Sequence, residues 1–288
     1  MNNFHNKKLK CLIINDHFQN YKSYGIPKAQ LVIADIPYNV GKNAFGSNPA
    51  WYVDGDNANG ESDKANSEFF DTDKDFRITE FLHFCSKLMR KEPKQKGKAP
   101  AMLVFCAFDQ QMEIIEKAKR YGINRYINLV FRKNFSAQVL KANMRIVGNA
   151  EYGLLLYRDK LPKFNNHGKM IFNIMDWETD DKNILYKKIH PTQKPIKLLE
   201  KLIKIFTDEG EVVIDPVAGS GSTLIAATNT KRNSYGFEIK KDFFKEASGW
   251  IERNKLVKNE IEKDDWGRET FFLLKKTKKI KINRNNTL

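Results

Sequence analysis

The stretch VVIDPVAGSGST, residues 212–223, limits what this chain can fold into more than any other. An apolar run ends in Asp215 and Pro216. Two glycines follow, Gly219 and Gly221, and then Ser222, Thr223 and a second apolar run. Read physically, this is a buried strand, a turn tight enough to need glycine, and the first turn of a helix. The strand has no polar face, so both of its sides must be covered. That is the condition of a parallel sheet with helices on each face.

The same alternation runs along the chain. Residues 10–14, 30–35, 101–108, 127–133, 151–158, 211–216 and 232–239 read as strands. Residues 78–91, 110–122 and 194–206 have helical spacing, and a further helix follows residue 239 to about 255. The expectation is an α/β fold, with residues 1–258 as one domain. Residues 259–288 form a basic extension whose end, KKTKKIKINRNNTL, reads as frayed. Residues 43–76 are too long and too polar for a turn and read as a functional or mobile loop.

Charge narrows the partners. A formal net charge of +15 over 288 residues points to a polyanion, nucleic acid first, although a lysine-rich genome would leave the same mark. No apolar run is long enough to span a membrane, and CLII is too short for a signal core. Cys11, Cys85 and Cys106 are widely spaced in apolar surroundings. They read as free thiols in a reducing cytoplasm, and the histidines lack metal-ligand spacing.

The glycine loop excludes two common ligands. No Gly-Lys-Ser/Thr follows, so it is not a P-loop. Leu224 stands where a dinucleotide fingerprint needs its third small residue. Asp215 disfavours pyrophosphate and favours a cation, while Ser220, Ser222 and Thr223 offer donors at a helix start. Glu238 ends the next strand, where an acid can accept both hydroxyls of a ribose. A nucleoside with a positive group and no phosphates fits this description, and S-adenosylmethionine is one. The bland alternative is a helix cap and a surface glutamate.

A second short stretch, ADIPYNVG (34–41), also leaves an apolar strand. By itself it is either an ordinary turn or a reaction site. A third, HPTQKP (190–195), is a rigid turn into a helix. Taken in order, Asp-x-Pro-Tyr, HPTQKP, DPVAGSGST and GFEIKKDFF resemble the amino-methylating DNA methyltransferases of the β-type motif order. The resemblance covers roughly residues 10–255 and includes LVFRKN (129–134) and NAEYGLLLYRDKLPKFN (149–165).

The resemblance implies an S-adenosylmethionine-dependent methyltransferase fold, a doubly wound, mostly parallel sheet with an antiparallel edge strand. It places Asp215, Pro216, Gly219, Ser220, Gly221 and Thr223 along the cofactor, with Glu238 on the ribose. Thr192 and Lys194 border the methionine end, and Asp16 approaches the adenine. It implies that Asp35 and the Ile36 carbonyl accept the two hydrogens of a base amino group, whose nitrogen is otherwise a poor nucleophile. Pro37 sets the turn, and Tyr38 stacks on a base flipped out of the duplex. In this family an aspartate at the first position accompanies adenine N6 and a serine cytosine N4, so Asp35 points to adenine. Ile36 stands where the family has proline and Val217 where it has phenylalanine. The first loses stiffness in the turn, the second an aromatic plug.

Arg132, Lys133, Lys141 and Arg145 are the candidate DNA contacts, and 159–189 is a short target-recognition segment. The loop 43–76 carries eight acids against two lysines, net −6. Trp51 and Tyr52 in it either cover the flipped base or anchor the loop. The resemblance admits a homodimer and a separate restriction endonuclease. It leaves open cytosine N4, an RNA substrate, and a decayed DNA-binding relative.

Overall fold

The computed structural model describes residues 9–38, 76–134, 148–177, 180 and 193–259, side chains to 254, and the backbone of short strands between 262 and 281. The expectations for Thr192, Lys141, Arg145, Trp51, Tyr52, nearly all of the loop 43–76 and much of 159–189 lie outside these residues.

Among the described residues one sheet has eight strands. They are β1 (Cys11–Ile14), β2 (Leu31–Asp35), β3 (Ala101–Cys106), β4 (Arg125–Arg132), β5 (Ala150–Tyr157), β6 (Ile174–Asp176), β7 (Val212–Asp215) and β8 (Asn233–Phe237). Their order across the sheet is β1-β8-β7-β2-β3-β5-β4-β6. All pairings are parallel except the two that β5 makes, with β3 and with β4. The antiparallel strand is β5, inserted near one edge of the sheet with β4 and β6 beyond it.

The side-chain period of two divides the core into two layers. Val32 and Ala34 of β2, with Met102, Val104 and Cys106 of β3, face one layer. That layer is closed by α1 (Ile78–Leu88), α2 (Gln110–Lys119) and a 3-10 helix over Phe18–Tyr24. Leu31 and Ile33, with Ala101, Leu103 and Phe105, face the other. There α3 (Ile196–Phe206), α4 (Ser222–Asn229) and α5 (Lys241–Asn259) cover the sheet. In α3 the apolar positions Ile196, Leu199, Leu202, Ile203 and Phe206 fall on the buried side. Lys197, Lys201 and Lys204 lie between them.

Element ends differ from the sequence reading by a few residues, since apolar runs outlast the ladder hydrogen bonds. Three features are not legible in advance. The 3-10 helix is held by His17, whose side chain accepts from the Gln19 N–H, and is closed by Gly25 at φ 55°. β6 is three residues long. In the tail, β9 (Glu262–Lys263) pairs with β10 (Glu269–Thr270), and β11 (Phe272–Lys275) pairs with β12 (Lys278–Lys281). The backbone thus forms a hairpin where a frayed end is expected, with Leu273 set opposite Ile280.

The functional edge follows from topology. From β2 the chain returns through α1 to β3 on one side. From β7 it returns through α4 to β8 on the other. Between β7 and β2 the winding reverses, which opens a crevice at the carboxyl ends of these strands.

Gly236 in β8 shows how closely α4 lies on the sheet. A Cβ there would stand 2.8 Å from Leu224 Cδ1 and 3.0 Å from Ala218 Cβ. Gly236→Ala is expected to cost about 1–3 kcal/mol of stability, the range for overpacking a filled core. Urea unfolding of the two proteins measures it.

Candidate functional site

Asp35 is the last residue of β2 and lies at the crevice. The strand ladder continues one step past it, because the Ile36 N–H donates to the Phe105 carbonyl at 3.2 Å. Ile36 itself is only 2% exposed and is part of the first core layer. Proline has no N–H to give. Ile36 therefore restrains the turn by a hydrogen bond and a buried side chain where the family uses a ring. The next residue is clamped too. Gln110 Nε2 donates to the Pro37 carbonyl at 2.9 Å, and Gln110 Oε1 accepts from the Ala107 N–H at 3.0 Å.

Around Asp35 the charges form a chain. Lys194 Nζ bonds Asp35 Oδ2 at 2.7 Å. The Tyr38 hydroxyl donates to Glu151 Oε2 at 2.8 Å and faces both Lys194 Nζ and Asp35 Oδ1 at 3.4 Å. Glu151 Oε1 bonds Lys133 Nζ at 2.5 Å. The Lys194 ammonium also lies 5.3 Å from the Phe105 ring centroid, 5.6 Å from Tyr38 and 5.9 Å from Trp177. Such a cage suits a cation out of water.

The electrostatics follow from who shares whom. Burial pushes the Lys194 ammonium down, but Asp35 and Glu151 together push it further up, so it stays above the ordinary lysine value. Asp35 has one cation against its burial and is held above the ordinary carboxylate range. Burial raises Glu151 as well, yet Lys194 and Lys133 outweigh it and hold Glu151 below that range. Burial, then Asp35 and Glu151, lift the Tyr38 phenol well above its usual value, which keeps it a proton donor. The Cys106 thiol is pushed up to about 12 by burial, Asp35 and Asp109, and is inert.

The other wall of the crevice is the glycine loop after β7. Gly219 and Gly221 have φ of 50° and 77°. These are left-handed conformations that only glycine adopts at no steric cost. Glu238 is 8% exposed and receives the Gly219 N–H at 2.9 Å and the Lys240 N–H at 2.8 Å. Ile239 adds a third backbone bond, yet burial outweighs all three and holds Glu238 above the ordinary carboxylate range. Asp215 is 4% exposed, accepts from the Val217 N–H at 3.0 Å and takes a bond from the Thr223 side chain. Burial dominates, with Asp35 and Glu238 adding to it, and Asp215 rises to about 7. Asp16 lies just past β1 and is wrapped by donors, Tyr24 at 2.6 Å, His17 N–H at 2.7 Å and Asn20 at 2.8 Å. Led by the Tyr24 bond, they hold its carboxyl below the ordinary range. Parallel neighbours β1, β8, β7 and β2 thus present Asp16, Glu238, Asp215 and Asp35 in a row.

The structure brings together Asp35, Ile36, Pro37, Tyr38, Asp215, Pro216, Gly219, Ser220, Gly221, Thr223 and Glu238 on one edge of the sheet. It places Lys194, read as bordering the methionine end of the cofactor, against Asp35. Lys133, read as a phosphate contact, turns inward to Glu151 and lies 5.3 Å from the Trp177 ring. Arg132 remains exposed and pairs with Asp176 at 2.6 Å. Val217 packs partly buried against the first core layer.

Glu151, Gln110, Trp177 and Asp180 escape the sequence reading. Asp180 accepts from the N–H groups of Ile196 and Lys197 at 2.8 and 3.0 Å, and so caps α3 from outside the helix. For Glu151 a signal existed. An antiparallel strand begins at the edge where its parallel neighbours end, so an acid at its start belongs to the crevice.

Comparison with known proteins agrees with this geometry. The model of the N6/N4 DNA methylase family matches residues 29–249, and the chain belongs to that family. DNA adenine methyltransferase YhdJ of Escherichia coli K12 is 26% identical over 254 residues, covering 82% of this chain and 80% of its own. Type II methyltransferase M.HindIII of Haemophilus influenzae is 29% identical over 188 residues, 59% of this chain and 57% of its own. Among solved structures, the M1.HpyAVI–SAM complex matches with a TM-score of 0.57 at 22% identity, covering 82% of this chain and 97% of that one. The cytosine-N4-specific PvuII DNA methyltransferase matches with a TM-score of 0.58 at 14% identity, covering 87% and 94%. These two likenesses establish the fold.

Asp215 makes stability depend on pH in a defined direction. Its folded value of about 7 lies above the ordinary 3.8. Between these limits the folded chain keeps a proton that the unfolded chain has lost, so stability falls as pH rises through that window. Asp215→Asn removes the cost. In protein without added ligand, it is expected to raise the melting temperature at pH 8 relative to the parent and to leave it near the parent at pH 4. Paired thermal melts across that range check the sign.

Proposed function

We propose that this DNA methyltransferase transfers a methyl group from S-adenosylmethionine to N6 of an adenine flipped out of duplex DNA. The observation that carries the reading is the juxtaposition of Asp35, Ile36 and Tyr38 with the glycine loop across a crevice between β2 and β7.

The residues present fit the cofactor. A Cβ on Gly219 would meet no atom within 4 Å, so the loop borders open space beside Glu238. Glu238 offers acceptors for ribose hydroxyls, and buried Asp215 offers a negative charge to a cationic group. Thr223 and Ser220 line the same wall, both buried. When bound, S-adenosylmethionine supplies an electrophilic methyl group.

The chain's own part is positioning and electrostatics. The Asp35 carboxylate and the Ile36 carbonyl accept the two amino hydrogens and localise the nitrogen lone pair. Asp35 then takes the proton that the amino group releases. Tyr38 stacks on the extruded base, and the clamp of Gln110 on Pro37 holds the turn that aims it. Adenine is favoured over cytosine by Asp35 at the first position of the motif, and YhdJ, named as an adenine methyltransferase, is consistent with that. The methyltransferase unit is residues 1–258, and 259–288 is an appended basic segment.

Expression in a host without DNA methylation, followed by modification-sensitive sequencing, tests this. N6-methyladenine at a defined sequence is expected. N4-methylcytosine overturns the choice of base, and unmodified DNA overturns the reading. Asp35→Ala is expected to slow methyl transfer on the order of 10²–10³-fold or more, the scale of losing one preorganised transition-state contact. Its affinity for S-adenosylmethionine, measured by calorimetry, stays within a few fold. Lys194 keeps Glu151 as a counter-ion, so the variant folds.

A further inference from the structure

Among the described residues of the crevice, Glu151 is a carboxylate that the reaction above leaves without a part. Its side chain is 17% exposed, and both oxygens are engaged, one by Lys133 at 2.5 Å and one by the Tyr38 hydroxyl at 2.8 Å. Lys194, 7% exposed, reaches the same hydroxyl at 3.4 Å from the other side while bonding Asp35 at 2.7 Å. The Tyr38 hydroxyl therefore lies between the Glu151 carboxylate and the Lys194 ammonium.

Asp35 is required to accept an amino hydrogen and then a proton. An ammonium on its Oδ2 competes for the same lone pairs and weakens it as a base. For Asp35 to act at full strength as acceptor and base, Lys194 would move off Oδ2, and a buried ammonium does not give up a counter-ion without another. The rings of Phe105, Tyr38 and Trp177 let it shift while staying against aromatic faces, and Glu151 stands beyond Tyr38.

We propose that Glu151 is a positioning residue for methyl transfer: it draws Lys194 off Asp35 as the target amino group arrives, and it anchors the Tyr38 hydroxyl meanwhile. This rests on the methylation reading above.

The test uses the full chain and unmethylated genomic DNA, with single-turnover methyl transfer at saturating DNA and S-adenosylmethionine. Glu151→Gln keeps an acceptor for Tyr38 and loses the charge. It is expected to slow transfer at least tenfold, with the KM for DNA within threefold. Glu151→Asp recovers part of the rate. In a Lys194→Met background, which has no ammonium to draw off Asp35, adding Glu151→Gln costs less than twofold. A Glu151→Gln rate within threefold of the parent overturns the proposal. So does an equal cost in both backgrounds, which marks a structural role. A second readout needs no turnover. The Lys194 ammonium, followed by 15N NMR and assigned by its loss in Lys194→Met, titrates lower in Glu151→Gln, or in Glu151→Asp should Glu151→Gln fail to fold. An unmoved midpoint also overturns the proposal. If the parent chain leaves DNA unmethylated, the methylation reading falls and the proposal with it. If the parent is active, only the proposal is at stake.

Discussion

The parallel pairing of β2 with β7 is the constraint on which the rest depends. Leu31 lies opposite Val213 and Val32 opposite Ile214, although the two strands are far apart in sequence. By simple alternation Val32 and Ile214 belong to the first layer and Leu31 and Val213 to the second, all four fully or almost fully buried. Hydrophobic burial on both faces fixes the register, because a slip of one residue would exchange the two layers. With the register fixed, the strand ends are fixed, and so is the distance across the crevice between the Asp35 turn and the glycine loop. A doubly wound sheet reverses its winding there, which opens the crevice.

Placing several acids on one buried edge is costly unless each has a partner or a proton. The structure shows three solutions side by side. Asp16 is wrapped by three donors. Glu238 takes three backbone N–H groups. Asp35 and Glu151 share cations, with Lys194 and Lys133 turned inward. Burial still outweighs the partners of Asp35, Glu238 and Asp215, and Asp215 retains a proton up to about pH 7. A cation bound beside Asp215 would relieve that.

Most of the fold was legible because its signals are local. Apolar runs of strand length, helical spacing at 78–91 and 194–206, and the glycine pair at 219 and 221 each sit within a dozen residues. The family motifs are of the same kind. What sequence reading missed depends on distant partners. Lys133 looks like any exposed lysine beside Arg132 until Glu151 is seen to face it across the β4–β5 pair. Ile36 looks like a weakened proline until its N–H is seen to meet Phe105. Asp180 caps a helix that begins sixteen residues later, with no capping residue at the helix itself.

The sequence by itself determined the class of sheet, the residue types at the crevice, and the order of the motifs that place this chain in the N6/N4 DNA methylase family. Only the tertiary structure decided which charges meet. It set Lys194 on Asp35, turned Lys133 from solvent to Glu151, and carried the start of β5 to the edge where its neighbours end. The physical reason is that strand identity follows from short-range periodicity, whereas an ion pair follows from register and strand direction, and these are settled only when the whole core has closed.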